Sequence, residues 1–442
     1  MNTILRHLSN VYIRYLPRMR NLHFASAHLF VMFSTFLVLP MILNTYGVKY
    51  LGLFSLILSI NMIIPMLDLG YANSISTEIG REGAYQTLFN HRKKLRTSFL
   101  IIPGIFMVLA ATLAIYYVNI INSSIEGILS NSELKIMILA MTAHAFMLIV
   151  FNVAYRIRLA LNLYKLSSNI LIVNSIIVFL CSAYSIWLES SFTTFIITFL
   201  LSSWVSNIFF LKGTIKSLLT EYDQTQISSQ DCERPHKRPL PGNLTFFIAQ
   251  ISTIFAFQLD NFVVARYLSL EDVAVYSTAI KFIAVPIAIF ASYSLPLWTE
   301  TSRGSFGTDD AQIFGNLSRI LKKRVIVIVP VAILVFFTLP HILKFWSSNK
   351  LQISPQFTIT LVFWLITAVI TQPIAMVTNG MLFQKFIILS GVIGAFVNIS
   401  ISVILCKNFN LISGPVIGSI AAQIASCLIP FLYFQRRITK HG

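Results

Sequence analysis

The sequence predicts an all-α polytopic membrane protein of about 12 transmembrane helices, in two pseudo-symmetric six-helix bundles around a central cleft, with both termini cytoplasmic. Three observations carry this reading. Hydrophobic residues fill 56% of the 442 positions and charged residues only 11%, against about 25% charged in ordinary soluble domains. Apolar runs near 20 residues, the length that crosses a bilayer's hydrocarbon, recur along the whole chain. The 33 Lys and Arg sit in short clusters between those runs, where polytopic proteins carry their cytoplasmic charge.

The chain opens on a basic segment, 1–21, with Arg6, Arg14, Arg18 and Arg20 around Pro17. It suits the cytoplasmic membrane surface. The apolar run that follows is not closed by a small-residue cleavage motif, so it reads as a span rather than a signal peptide. The N-terminal bundle, 22–211, then holds spans at 22–42, 50–76, 98–118, 133–155, 166–188 and 191–211. The second run is too long for a simple crossing and calls for a tilt or an interfacial extension. The fifth and sixth meet in a tight hairpin at Glu189. A polar stretch, 212–243, rich in charge and ending in Pro239, Pro241 and Gly242, reads as a cytoplasmic linker. The C-terminal bundle, 244–434, holds spans at 244–264, 273–298, 325–345, 355–380, 386–406 and 411–434, and 435–442 is a cytoplasmic tail. Continuously apolar stretches such as Val325–Phe337 lack the alternation of a transmembrane barrel.

With the N-terminus inside and strict alternation, 26 basic residues fall on the cytoplasmic side, six outside, and Lys281 within a span. A miscounted middle span would flip every later loop and erase that contrast, so the bias supports an even count as well as the orientation. The layout also predicts a repeat. An offset of 222 residues places Ser55 opposite Ser277, Tyr71 opposite Tyr293, and Thr77-Glu78 opposite Thr299-Glu300. Six spans per half give both halves the same orientation.

Several function classes are excluded by pattern. The net charge of +17 belongs to the loops of a membrane protein and implies no nucleic-acid partner. Cys181, Cys232, Cys406 and Cys427 form no CxxC pair, so neither a zinc site nor a disulfide framework is expected. There is no phosphate-binding Gly-Lys-Ser/Thr loop, no HExxH, no Gly-x-Ser-x-Gly elbow and no loop large enough for a catalytic domain. The expectation is a transporter, not an enzyme, with no cofactor and no metal, driven by an ion gradient, the membrane potential or its own cargo.

Charges inside lipid are costly and normally face a cavity or a partner. Asp260 and Lys281, at depths of roughly 6 Å and 13 Å from the outer side, are expected within reach of one another. Lys281 would attract an anionic headgroup with Asp260 orienting it, or the two would form a structural ion pair, or Lys281 would snorkel to the outer interface while Asp260 caps a helix end. Asp68, in Asp68-Leu69-Gly70-Tyr71-Ala72-Asn73, suits either cargo or ion coupling or a hydrogen-bonded helix bend. Glu78 and Glu300 close equivalent spans and precede Arg81 and Arg303, which fits local salt bridges or gating contacts. His28 and His144 could relay protons or bond a neighbouring helix. Arg156, Arg158 and Lys165 could receive a diphosphate from the inner leaflet, or simply satisfy the positive-inside bias. Pro40, Pro65, Pro103, Pro286, Pro296, Pro330, Pro373 and Pro415 fall inside spans, where each removes a backbone hydrogen bond. Gly414 and Gly418, with Ala421 and Ala422, give the last span a small-residue packing face.

Two stretches bear a likeness to a known family. One runs from Gly47-Val48-Lys49-Tyr50-Leu51-Gly52-Leu53-Phe54-Ser55 to Leu67-Asp68-Leu69-Gly70-Tyr71-Ala72-Asn73. The other runs from Phe257-Gln258-Leu259-Asp260-Asn261 to Val273-Ala274-Val275-Tyr276-Ser277, and the closing Gly414-Pro415-Val416-Ile417-Gly418 also fits. Here the chain resembles bacterial O-antigen and capsular-polysaccharide repeat-unit flippases, of the multidrug/oligosaccharidyl-lipid/polysaccharide exporter superfamily. The resemblance implies translocation of undecaprenyl-diphosphate-linked oligosaccharide from the inner to the outer leaflet of the bacterial inner membrane by alternating access. It also implies proton or sodium coupling and contact with a polysaccharide polymerase or chain-length regulator. A drug or small-molecule antiporter of the same architecture is the alternative. One departure is that Lys281 alone supplies a basic group deep in a span.

Overall fold

The computed structural model describes residues 26–27, 30–68, 70, 72, 104, 129–161, 163–225, 247–248, 250–252, 254–255, 258–302, 310–381, 384–429 and 431. The N-terminal segment, His28, Glu78, the expected third span apart from Gly104, most of the 212–243 stretch and the C-terminal tail lie outside them. Among the described residues, eight helices are long and apolar enough to cross a membrane, and two shorter apolar helices accompany them. The chain is a polytopic, all-α membrane protein. Lipid offers no hydrogen-bond partners, so a spanning backbone must satisfy itself internally, and helices do so.

The chain divides into two compact units. Unit 1 comprises Met1–Thr45 and Asp68–Asn243, and unit 2 comprises Tyr46–Leu67 and Leu244–Gly442. In unit 1 the described helices are α1 (Phe30–Thr45), α3 (Asn131–Ala160), α4 (Tyr164–Trp187) and α5 (Phe192–Thr225). α3 starts at a capping box. The Ser130 side chain accepts from the Glu133 amide, and Glu133 accepts from the Ser130 amide. α4 and α5 are joined by the expected tight turn, with Glu189 at φ 51°. α5 continues past the end of the expected span to Thr225, so the first part of the expected linker is helical. Ile149, Val153 and Ile157 of α3 and Phe195, Ile196 and Leu200 of α5 are buried, and α5 packs against both α3 and α4.

Unit 2 holds α2 (Val48–Ile63), α6 (Asp260–Tyr267), α7 (Leu270–Ser292), α8 (Leu295–Ser302), α9 (Asp310–Trp346), α10 (Pro355–Gly380), α11 (Gln384–Phe409) and α12 (Gly414–Gln423). α12 runs on into a π-helical turn, Ile424–Leu428. α2 is shorter than its apolar run. It gives way to a 3-10 turn at Ile64–Leu67 that contains Pro65, and the chain then turns at Asp68. The expected seventh span is interrupted at Gln258–Leu259 and restarts as α6. α9 begins well before the expected ninth span, so the basic run Arg319 to Arg324 lies on a helix rather than in a loop.

Side-chain size decides how closely these helices approach, because lipid supplies no hydrophobic force between them. Gly52 of α2 lies against the backbone of α7, where an added Cβ would overlap the Leu270 carbonyl oxygen and meet its carbon at 2.8 Å. One turn on, Ser277 Oγ donates to Ser55 Oγ at 2.7 Å. These are the serines that the 222-residue offset matches, so the two equivalent positions touch. Gly414 packs on Cys406 and Leu405, and Gly418 packs on Asn398 and Ser402, which brings α12 close to α11.

Candidate transport site

Asp260 opens α6 directly after the helix interruption at Gln258–Leu259. Its carboxylate accepts a hydrogen bond from the Tyr276 hydroxyl at 2.9 Å, and the side chains of Asn398 and Ser419 lie within hydrogen-bonding reach. Asn398 Nδ2 donates to Ser419 Oγ at 3.2 Å, and Ser402 Oγ donates to Asn398 Oδ1 at 2.7 Å. Four helices thus converge on one carboxylate through neutral hydroxyl and amide groups. Gly418 makes this possible, since a side chain there would strike Asn398 Oδ1 and the hydroxyl of Ser402. The neighbouring Asn261 donates to Ser59 Oγ at 2.7 Å, which ties α6 to α2.

Lys281 does not pair with Asp260. The ion pair found among the described residues is Lys49 with Glu271, at 3.6 Å and largely exposed. Tyr276 and Lys281 are five residues apart on α7, which turns their side chains about 140° from each other. Tyr276 takes the Asp260 side, and Lys281 projects elsewhere. Its ammonium reaches the Ser277 carbonyl of its own helix at 3.5 Å, the outer limit of a hydrogen bond. The interior of unit 2 also contains Thr278 Oγ1, Trp364 Nε1, Gln372 Oε1 and Gln423 Oε1, all buried and without a hydrogen-bond partner.

The other candidates are not gathered with these two. Asp68, 1% exposed, accepts from the amides of Gly70 at 3.1 Å and Ala72 at 2.8 Å. Gly70 stands at φ 75°, a conformation glycine adopts at little cost. Both carboxylate oxygens therefore hold the bend that follows α2. His144 Nδ1 accepts from Trp204 Nε1 at 2.8 Å, and the two rings lie nearly parallel. Because indole only donates, that nitrogen is committed as an acceptor, and the contact fastens α3 to α5. Arg156 and Arg158 lie in the last turns of α3, with Arg158 buried, and Lys165 is exposed at the start of α4. Glu300 is exposed on α8.

Sequence reasoning missed Arg324, counted as a loop charge. It is 7% exposed. Its guanidinium donates to the Phe290 carbonyl at 3.3 Å, Ser294 Oγ at 2.9 Å and the Val369 carbonyl at 3.2 Å. Val369 stands four residues before Pro373, so its usual i+4 donor is missing. Phe290 lies at the end of α7, where the Ser294 amide has moved to Ala291. Arg324 donates to both carbonyls and joins α7, α9 and α10. The missed partners of Asp260 carried a faint signal, since Asn398 and Ser402 share one helix face at i, i+4 opposite the Gly414 and Gly418 pair.

The fold is that of known transporters. The chain is similar to a multidrug resistance MATE family transporter of the MOP superfamily in its inward-facing conformation, with TM-score 0.66 and 14% identity over 94% of this chain and 98% of that one. It is also similar to the lipid II flippase MurJ in an inward closed conformation, with TM-score 0.64 and 17% identity over 94% and 87%. A third similar structure is a MOP superfamily transporter from Pyrococcus furiosus, for which reverse polarity of the binding pocket suggests a different function (TM-score 0.55, 15% identity, 96% of each chain). No protein-family model and no curated protein matches the chain. These three structures are transporters and a flippase, not enzymes.

Proposed function

We propose that the protein is an alternating-access flippase of the cytoplasmic membrane. Its cargo is an oligosaccharide on an anionic lipid carrier such as undecaprenyl diphosphate, moved from the inner to the outer leaflet. Lys281 is the observation that carries this reading. It is an ammonium within a membrane helix, unmatched by any carboxylate among the described residues and held only by a long contact to its own backbone. Such a group is costly in lipid unless an anion meets it. The unpartnered indole, hydroxyl and amide atoms of Trp364, Thr278, Gln372 and Gln423 supply the hydrogen-bonding chemistry that sugar hydroxyls use.

Asp260, surrounded by neutral oxygen- and nitrogen-bearing groups, is the proposed coupling site for a proton or sodium ion. The seam of α2 on α7 is the proposed moving contact. Within it Gly52 meets the Leu270 backbone and Ser55 meets Ser277, small groups that allow the two helices a close approach. Both termini lie in the cytoplasm, and the basic loops face the inner leaflet.

The second reading is an ion-coupled antiporter of small organic molecules. The similarity to the MATE transporter, with TM-score 0.66, favours it. A cationic drug needs an available carboxylate. Asp68 is engaged by backbone amides and Asp260 by Tyr276, which leaves the described interior better suited to anions.

The test is the leaflet distribution of lipid-linked oligosaccharide in cells lacking the gene. Cytoplasmic-side accumulation should be reversed by the intact protein and by Lys281→Arg, but not by Lys281→Ala. Asp260→Asn should transport without responding to collapse of the ion gradient. Normal distribution without the gene, in a strain with no other flippase, would refute the flippase reading and leave the antiporter.

A further inference from the structure

We infer that the inner-leaflet end of α9 is a docking site for an anionic glycerophospholipid, independent of the cargo. The helix is sharply two-sided. Ile313, Leu317, Arg324, Ile328, Ala332, Leu339 and Leu343 are buried. The opposite side presents Arg319, Lys322 and Lys323, all exposed, followed on the same stripe by Ile326, Val329, Ile333 and Phe337. Ile326 is 71% exposed and Phe337 65%. No carboxylate pairs with the three cations among the described residues.

Length and charge define the occupant. Arg319, Lys322 and Lys323 stand at i, i+3 and i+4, so one phosphate can meet all three. From Lys323 to Ile333 the helix rises about 15 Å. That equals the depth of one hydrocarbon leaflet, half of about 30 Å. A phosphate head at the triad therefore places an acyl chain along Ile326, Val329 and Ile333. The adjacent Arg324 sharpens the contrast. It turns inward and is satisfied by two carbonyls and a hydroxyl, whereas the two lysines beside it turn outward and are not. Clusters of basic residues at the cytoplasmic end of a span attract anionic lipid at roughly 1 kcal/mol per charge.

The experiment uses the full chain in phosphatidylcholine nanodiscs doped with phosphatidylglycerol carrying a photoreactive acyl chain. Adducts should concentrate on Ile326, Val329 and Ile333. A phosphatidylcholine probe should not reproduce that pattern. The triple variant R319Q/K322Q/K323Q should lose at least about tenfold of the labelling at these positions, while the outer-side variant Lys49→Gln keeps it. All three positions are exposed, and an unchanged melting temperature shows that the triple variant keeps its fold. Equal labelling by both probes, or labelling untouched by the triple variant, would overturn the site. Displacement of the probe by equimolar undecaprenyl phosphate would also overturn it, because the face would then belong to the polyprenyl carrier. None of these readouts uses transport, so failure here is separable from failure of the flippase reading.

Discussion

Replacing Arg324 should reveal that it stands in for a backbone donor removed by Pro373. Arg324→Met keeps the buried volume and removes three hydrogen bonds. Two of their acceptors keep other uses, since the Ser294 hydroxyl still donates to the Phe290 carbonyl at 3.0 Å. The Val369 carbonyl is left without its guanidinium partner and has no amide at position 373 to turn to. A buried acceptor stripped in this way costs about 1–3 kcal/mol, so the single variant should lose stability in that range. Pro373→Ala restores an amide at the i+4 position and should recover about 1 kcal/mol in the Arg324→Met background. In the parent the same change should bring little, because Val369 already has a donor. The two substitutions therefore couple favourably by about 1 kcal/mol, above the roughly 0.5 kcal/mol scatter seen for independent sites. Equilibrium unfolding of the four proteins of the cycle in mixed micelles measures this. Additive effects would refute the substitution of side-chain donor for missing amide, and with it the role of Arg324 in holding α7, α9 and α10 together.

Other consequences concern the seam and the histidine. In a cysteine-free background, Ser55→Cys with Ser277→Cys should form a disulfide, because the two hydroxyls lie 2.7 Å apart. The oxidised protein should stop transporting and recover on reduction. Transport at the parent rate in the fully cross-linked protein would show that the seam need not open. Adding Gly52→Ala to that pair should slow cross-linking, since the new methyl group collides with the Leu270 backbone. Unchanged cross-linking would contradict the close approach. His144→Phe and Trp204→Phe should each cost about 1 kcal/mol of stability, the double variant little more than either, and the pH profile of transport should stay in place. A shifted profile would return His144 to the proton path.

Helices and their approximate bounds were legible because the bilayer imposes a strong rule on backbone and composition. The hairpin at Glu189 followed from the same reading, whereas the contact between Ser55 and Ser277 did not. Contacts between distant helices were not legible, because they depend on azimuth rather than depth. Asp260 and Lys281 were placed at compatible depths, yet a rotation of about 140° along α7 gives Asp260 to Tyr276. Lys322, Lys323 and Arg324 form one basic cluster by charge count. At 100° per residue, the helix instead sends Arg324 to two carbonyls in the protein interior and leaves the lysines on the outer face. The same distinction separates the functional readings. A charge answered by protein groups, such as Asp68 on its two amides or Arg324 on its carbonyls, is spent on holding the fold. A charge that the described residues leave unanswered, as they leave Lys281, is open to an anion, and the anionic headgroup of the proposed cargo would meet it.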